Sequence, residues 1–294
     1  MSLRSWFLVC LTTAAACRSR SSDAPGAARD DYGVAVSAGS AARPARIVSL
    51  NPTTTELLFA LGAGPRVVGR TRWDVWPDSA RAVADLGPGL RPNVEAVLAR
   101  HPDLVVLYAS EDNRAAAEQL RAASVPVVAL RTDRIADFRR STDLLGLATG
   151  ETERARLVVD TVATSLDRVR HATAPLPHPT IFWHVWDAPI FTIGRGSYLN
   201  ELVEIAGARN VYGDLDAPSP QVALEDVVRR DPEYVIAGPE GAALLRASAS
   251  WRGVRAVREG RVIVVDTNLV GRPSVRMGEA AASLARLLHP GLAP

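Results

Sequence analysis

Glu95-Ala-Val-Leu-Ala-Arg-His-Pro-Asp-Leu-Val-Val (95–106) is answered later in the chain by Glu225-Asp-Val-Val-Arg-Arg-Asp-Pro-Glu-Tyr-Val-Ile (225–236). Each reads as a short helix led by a glutamate, stopped at Pro102 or Pro232, and followed by an apolar run. Proline ends the helix because it lacks an N–H and disfavours helical backbone in the residue before it. Upstream, Glu56-Leu-Leu-Phe-Ala-Leu-Gly-Ala (56–63) pairs with Glu201-Leu-Val-Glu-Ile-Ala-Gly-Ala (201–208). Both are helices ending in a glycine, the residue that enters a left-handed C-cap at least cost. Two matching segments in the same order predict two lobes of similar topology.

The apolar runs fill in those lobes. Ile47–Leu50, Val67–Gly69, Leu104–Tyr108 and Val127–Leu130 show no polar alternation, and neither do Ile181–Val185, Phe191–Ile193, Tyr234–Ala237 and Val262–Val265. Strands covered by helices on both faces have this character, and their alternation with helical stretches predicts parallel α/β sheets. Residues 149–173 carry Leu157, Val158, Val162, Leu166 and Val169 at helical spacing, with no glycine or proline from Glu151 to Arg170. The expected fold is therefore α/β, with two Rossmann-like lobes, 46–148 and 174–294, joined once by a single long helix.

Composition bounds the function. Of 294 residues, 47% are hydrophobic and 22% charged, which is core-forming material and excludes a disordered chain. The 34 basic residues, all arginine, nearly balance 32 acidic ones, which argues against a nucleic-acid partner. Arg4 followed by the apolar stretch Trp6–Ala16 reads as a secretion signal, too short to span a bilayer. Ala14-Ala-Ala-Cys17 then resembles a lipobox in which Cys17 is lipidated; an ordinary cut after Ala-x-Ala is the alternative. Residues 18–45, rich in Ser, Ala, Gly and Asp, read as a flexible tether between a membrane anchor and the folded body. The only cysteines are Cys10 and Cys17, so the body has no disulfide and no thiolate site.

Arg-Ile-Val-Ser-Leu-Asn-Pro-Thr-Thr-Thr-Glu-Leu-Leu-Phe-Ala-Leu-Gly (46–62), the Asn93-Val-Glu-Ala…His-Pro-Asp block and the second Glu…Asp-Pro-Glu block resemble the substrate-binding proteins of ABC importers. The resemblance runs from about Arg46 to Leu288 and is to the branch that captures cobalamin, haem and ferric siderophores. Phe191-Thr-Ile-Gly, Leu202-Val-Glu-Ile-Ala-Gly-Ala-Arg-Asn-Val and Pro220-Gln-Val carry a likeness to its cobalamin-binding members. The resemblance implies a periplasmic or cell-surface protein that binds a metal chelate between its lobes and holds no resident cofactor. It implies a permease dimer with its ATPase as partner, with Glu95 and Glu225 docking onto permease arginines. An acid near a helix N-terminus is also favourable locally through the helix dipole.

A flat macrocycle needs apolar faces to stack on and a few polar groups for its periphery. Trp73 and Trp76 follow the second strand of lobe one, and Trp183 and Trp186 lie at the end of the first strand of lobe two. Ligands of open α/β sheets bind at the carboxyl ends of strands. Because strand residues alternate in direction, Trp183 can instead be core with Trp186 alone facing the cleft. Asn51, Pro52 and Thr53 begin a helix directly after strand one, where free N–H groups attract polar oxygens; plain capping by Asn51 is the competing reading. By family resemblance Arg272 reaches the cleft, where it can fork onto a carboxylate or amide oxygen. The chain carries Ser219 where cobalamin-binding members tend to have an aromatic, and Asn268 where they tend to have an aspartate. His184 is either a core residue or an axial ligand to a chelated metal, and no spacing of His, Cys or carboxylates predicts a bare-metal site. An enzyme on a Rossmann-like scaffold is the reading from another class, yet Gly-x-Gly-x-x-Gly, Walker and Gly-x-Ser-x-Gly motifs are lacking. A lipoprotein scaffold without ligand is a third.

Overall fold

The computed structural model describes residues 28–36 and 43–292; the signal segment, Cys17 and most of the expected tether lie outside them. Lobe one runs β1 (Ile47–Leu50), α1 (Pro52–Ala60), β2 (Val67–Gly69), α2 (Val94–Leu98), β3 (Leu104–Tyr108), α3 (Glu111–Ala122), β4 (Val127–Leu130) and α4 (Ile135–Thr149). A helix, α5 (Thr152–Thr173), leads into lobe two. There follow β5 (Thr180–His184), α6 (Tyr198–Ile205), β6 (Arg209–Asn210), α7 (Leu224–Arg230), β7 (Tyr234–Ala237) and α8 (Pro239–Ala247). The chain ends with α9 (Arg255–Arg258), β8 (Val262–Val264), α10 (Thr267–Val270) and α11 (Met277–Leu288).

Both sheets are parallel, and their strand orders are β2-β1-β3-β4 and β6-β5-β7-β8. The order is the same in each lobe, so the sequence repeat is a repeat of topology. Ile47 lies opposite Leu104 and Ile181 opposite Tyr234, which sets each first strand against the strand that follows the Glu-led helix. β1 and β4 are buried at every residue, as strands with helices on both faces must be.

One expected strand is absent. Phe191–Ile193 forms only isolated antiparallel bridges, from Phe191 to Trp186 and to Gln221, and the edge strand of lobe two is Arg209–Asn210 instead. That strand is two polar residues long, so it leaves no apolar run in the sequence. It follows Gly207 as β2 follows Gly62, and both glycines have a left-handed backbone, with φ of 77° and 80°.

Residues 28–36 are not part of a free tether. Asp31 N–H donates to Ala129 O at 2.9 Å, and the buried Asp30 carboxylate accepts from Ala129, Tyr32 and Val34 N–H groups and pairs with Arg121 at 2.8 Å. Val36 is buried in the core, and the Arg114 guanidinium lies 4.5 Å over the Tyr32 ring. The segment covers the exposed side of edge strand β4. Its composition reads as linker because the contacts rest on acid–backbone bonds rather than on apolar mass.

The lobes share a core. At about 1.5 Å per residue α5 is about 33 Å long, and Ala155, Val159, Val162, Leu166, Val169 and Thr173 make its buried stripe. α11 lies close against it: a Cβ on Gly278 would stand 1.9 Å from Ser165 Oγ. Leu57 and Leu58 of α1, Leu145 of α4, Leu166 of α5, Leu202 of α6 and Leu284 of α11 belong to one continuous apolar cluster that crosses from lobe to lobe.

Two polar clasps flank that cluster. Glu56, only 1% exposed, accepts from Ser274 Oγ and pairs with Arg272 Nη1 at 3.2 Å, both from the loop after α10. Glu201 of α6 accepts from Arg134 Nε at 2.7 Å and from Ile135 N–H at 2.8 Å, at the start of α4. Glu56 and Glu201 are the leading residues of the matched 56–63 and 201–208 segments, so each lobe inserts its equivalent glutamate into the other.

Candidate functional site

Strand β5 ends at His184 and the chain turns outward through Val185, Trp186 and Asp187. Strand β7 ends at Ala237, and Gly238-Pro239 opens α8 with proline in the first turn, where its missing N–H costs nothing. Between these two strand ends lies a cavity of about 800 Å³. Its walls are Trp183, Trp186, Leu199, Leu244 and Val270, with His184, Asp187 and Glu240 as titratable members. All of these residues belong to lobe two.

Asp187 is fixed at the cavity wall. Its Oδ1 accepts from Trp251 Nε1 at 2.9 Å and lies 3.4 Å from His184 Nε2. The Trp251 indole stands edge-on to the imidazole with centroids 5.4 Å apart. His184 is 5% exposed, and burial pushes its imidazole below the ordinary 6.5 against the opposing pull of Asp187. Gly241 closes the other side of the ring: a Cβ there would stand 2.9 Å from Nδ1. His184 is thus packed and partnered. Among the described residues no group of three His, Cys, Asp or Glu could hold a metal ion.

Of the aromatic residues expected in the cleft, Trp186 is 63% exposed and lines the cavity. Trp183 contributes to the lining but is 4% exposed, with its side chain in the shared core. In lobe one Trp73 is 56% exposed beyond the end of β2. Trp76 is half-buried, with the Arg276 guanidinium 5.4 Å from its ring centroid. The loop holding Trp73 is anchored by Asp74, buried, which accepts from Thr55 and Thr71 hydroxyls and the Thr71 N–H; burial pushes its carboxyl above the usual range.

The polar candidates are largely engaged by the protein itself. Asn51 Oδ1 caps α1 by accepting from Thr53 N–H at 2.9 Å, and its Nδ2 donates to Thr132 Oγ1 at 3.3 Å. Asn51 and Thr53 are buried and Pro52 is half-buried. Capping therefore accounts for Asn51. Arg272 spans the lobes: one arm pairs with Glu56, and Nη2 donates to Trp73 O at 3.0 Å. Its carboxylate partner is thus within the protein, and it orients the backbone that carries Trp73. Ser219 Oγ lies 3.4 Å from Thr192 O, and Asn268 is exposed on α10 beside Thr267, which lines the cavity while Asn268 does not. Glu95 and Glu225 are exposed at equivalent places, the second residues of α2 and α7, and neither forms an ion pair among the described residues.

Asp187, Glu240 and Trp251 escaped sequence reasoning. A signal existed for Glu240. Ala237-Gly238-Pro239 repeats the strand-then-proline pattern of Leu50-Asn51-Pro52, and it marks a helix start at a strand's carboxyl end. Trp251 carries no such mark: its short turn, Ser250–Gly253, follows α8 without any motif that points to the cavity.

The periplasmic binding protein family matches residues 47–269. The vitamin B12-binding protein of Pectobacterium atrosepticum is 28% identical over 260 residues, 85% of this chain and 91% of its own. An uncharacterized ABC transporter substrate-binding lipoprotein, YvrC of Bacillus subtilis, is 28% identical over 256 residues, 84% of this chain and 81% of its own. Among solved structures, the periplasmic vitamin B12-binding protein BtuF of Vibrio cholerae superposes with a TM-score of 0.73 at 21% identity, covering 84% of this chain and 97% of that one. Twin parallel lobes around a shared core, with a cavity at the strand ends, agree with these likenesses, and the chain belongs to the periplasmic binding protein family, as a binding protein.

Proposed function

We propose that the chain is the extracytoplasmic receptor of an ABC importer, anchored through lipid on Cys17, and that it captures a corrinoid such as cobalamin between its lobes. The observation that carries this reading is an exposed indole beyond the carboxyl end of a parallel strand in each lobe, Trp186 beside the 800 Å³ cavity after β5 and Trp73 after β2. Both indoles are more than half exposed, so each has a free aromatic face on which a flat apolar ligand can stack. The vitamin B12-binding relative and the lipoprotein relative support ligand class and anchoring respectively.

Purified protein mixed with cobalamin, cobinamide, haem and ferric siderophores should give a one-to-one corrinoid complex by native mass spectrometry, with quenched tryptophan fluorescence. Binding of haem or siderophore alone would replace the corrinoid; binding of none would remove the receptor role.

Delivery requires a permease, and Glu95 and Glu225 are its docking residues in this reading. Exposed rim charges chiefly govern encounter and orientation. Glu95→Arg with Glu225→Arg should leave ligand affinity intact and abolish uptake by cells carrying the cognate permease; normal uptake would rule the docking role out.

A further inference from the structure

The polar character of the lobe-two cavity is one-sided. The chain has 34 basic residues, yet among the described residues none lines this cavity, whereas Asp187 and Glu240 do. Asp187 Oδ1 is taken up by Trp251 and His184, while Oδ2 has no hydrogen-bond partner among the described residues. Glu240 is exposed and has neither a hydrogen bond nor an ion pair among them. Burial lowers the affinity of His184 for a proton, against the opposing pull of Asp187. The features of the wall favourable to an anion are the N-terminal ends of α8, α6 and the four-residue α10, which Pro239, Leu199 and Thr267 bring to the lining; Glu240 in the first turn of α8 and Asp266 at the cap of α10 already supply negative charge to two of them. A helix end amounts to at most about half an elementary charge, so three ends together fall short of the two carboxylates.

We propose that Asp187 and Glu240 make this cavity selective for chelates whose peripheral arms are neutral hydrogen-bond donors, carboxamides above all, and against chelates with carboxylate arms. The proposal rests on the reading of the ligand as a metal macrocycle. An amide –NH2 donates to the free oxygen of Asp187 or to Glu240. A carboxylate arm set against this wall meets two carboxylates and no arginine, which disfavours it relative to an amide. Selectivity of this kind comes from what the site refuses as much as from what it accepts. Trp251 is 2% exposed, so the Asp187 side chain is held by a fixed indole rather than by solvent.

The test compares cobinamide, whose arms are amides, with cobyrinic acid, which carries carboxylates on the same ring, by fluorescence titration of the full chain at pH 7. Wild type should bind cobinamide at least about tenfold more tightly, and in Asp187→Asn/Glu240→Gln the ratio should fall to about threefold or less. Glu240→Gln alone, at an exposed position that folding does not need, should give part of the fall. Equal binding of both ligands by wild type, or an unchanged ratio in both variants, would overturn the selectivity and leave the ligand class standing. Binding of neither ligand would instead refute the corrinoid reading, and the selectivity with it.

Discussion

Glu56 and Glu201 hold the same place in the two repeats, and each is used by the opposite lobe. Burial pushes the Glu56 carboxyl above its ordinary 4.5, against the opposing pulls of Ser274 and Arg272. Between 4.5 and the raised folded value, the folded chain retains a proton that the unfolded chain has lost. Stability therefore falls as pH rises through that window. Thermal melts from pH 4 to 7 should show wild type losing stability relative to Glu56→Gln as pH rises; parallel profiles would mean that Glu56 ionises freely. The sequence carried much of this residue-scale information in its repeat, since 56–63 and 201–208 align, but not the partners. Arg272 lies 216 positions from Glu56, and no local pattern joins them. Trp183 and Trp186 were legible only as a pair, because strand alternation alone does not say which side faces the core; the packing of β5 puts Trp183 inward.

At the scale of elements, the strands that are continuous apolar runs were legible residue for residue in lobe one, where burial on both faces forces that composition. The polar edge strand β6 and the docked segment 28–36 were not, because backbone pairing and buried acid–backbone bonds hold them without an apolar signature. The approach of α11 to α5 depends on a missing side chain at Gly278. Gly278→Ala places a methyl where Ser165 already stands, and overpacking of this kind costs about 1–3 kcal/mol. Urea denaturation should register that loss. An unchanged midpoint would show that α11 can shift without penalty.

For the whole molecule, one shared core and two crossed clasps argue against hinge closure. Receptors that close do so about a few residues that absorb large backbone changes. Here any opening would tear Leu57, Leu166, Leu202 and Leu284 from one cluster and expose Glu56. Scattering profiles with and without corrinoid should superpose, and a marked compaction on binding would contradict the rigid frame. The twofold architecture was the most legible property of all, because the Glu-led helix, proline stop and buried strand recur in order. The cavity was not, since it is assembled from four separate stretches of lobe two.

The central claim is that a flat chelate lies between Trp73 and Trp186, and a corrinoid titration of Trp73→Ala/Trp186→Ala against wild type tests it most directly. Each stacked indole contributes about 1 kcal/mol beyond area burial, so the double variant should bind at least about thirtyfold more weakly. Wild-type affinity in that variant, with its fold intact by circular dichroism, would place the ligand elsewhere.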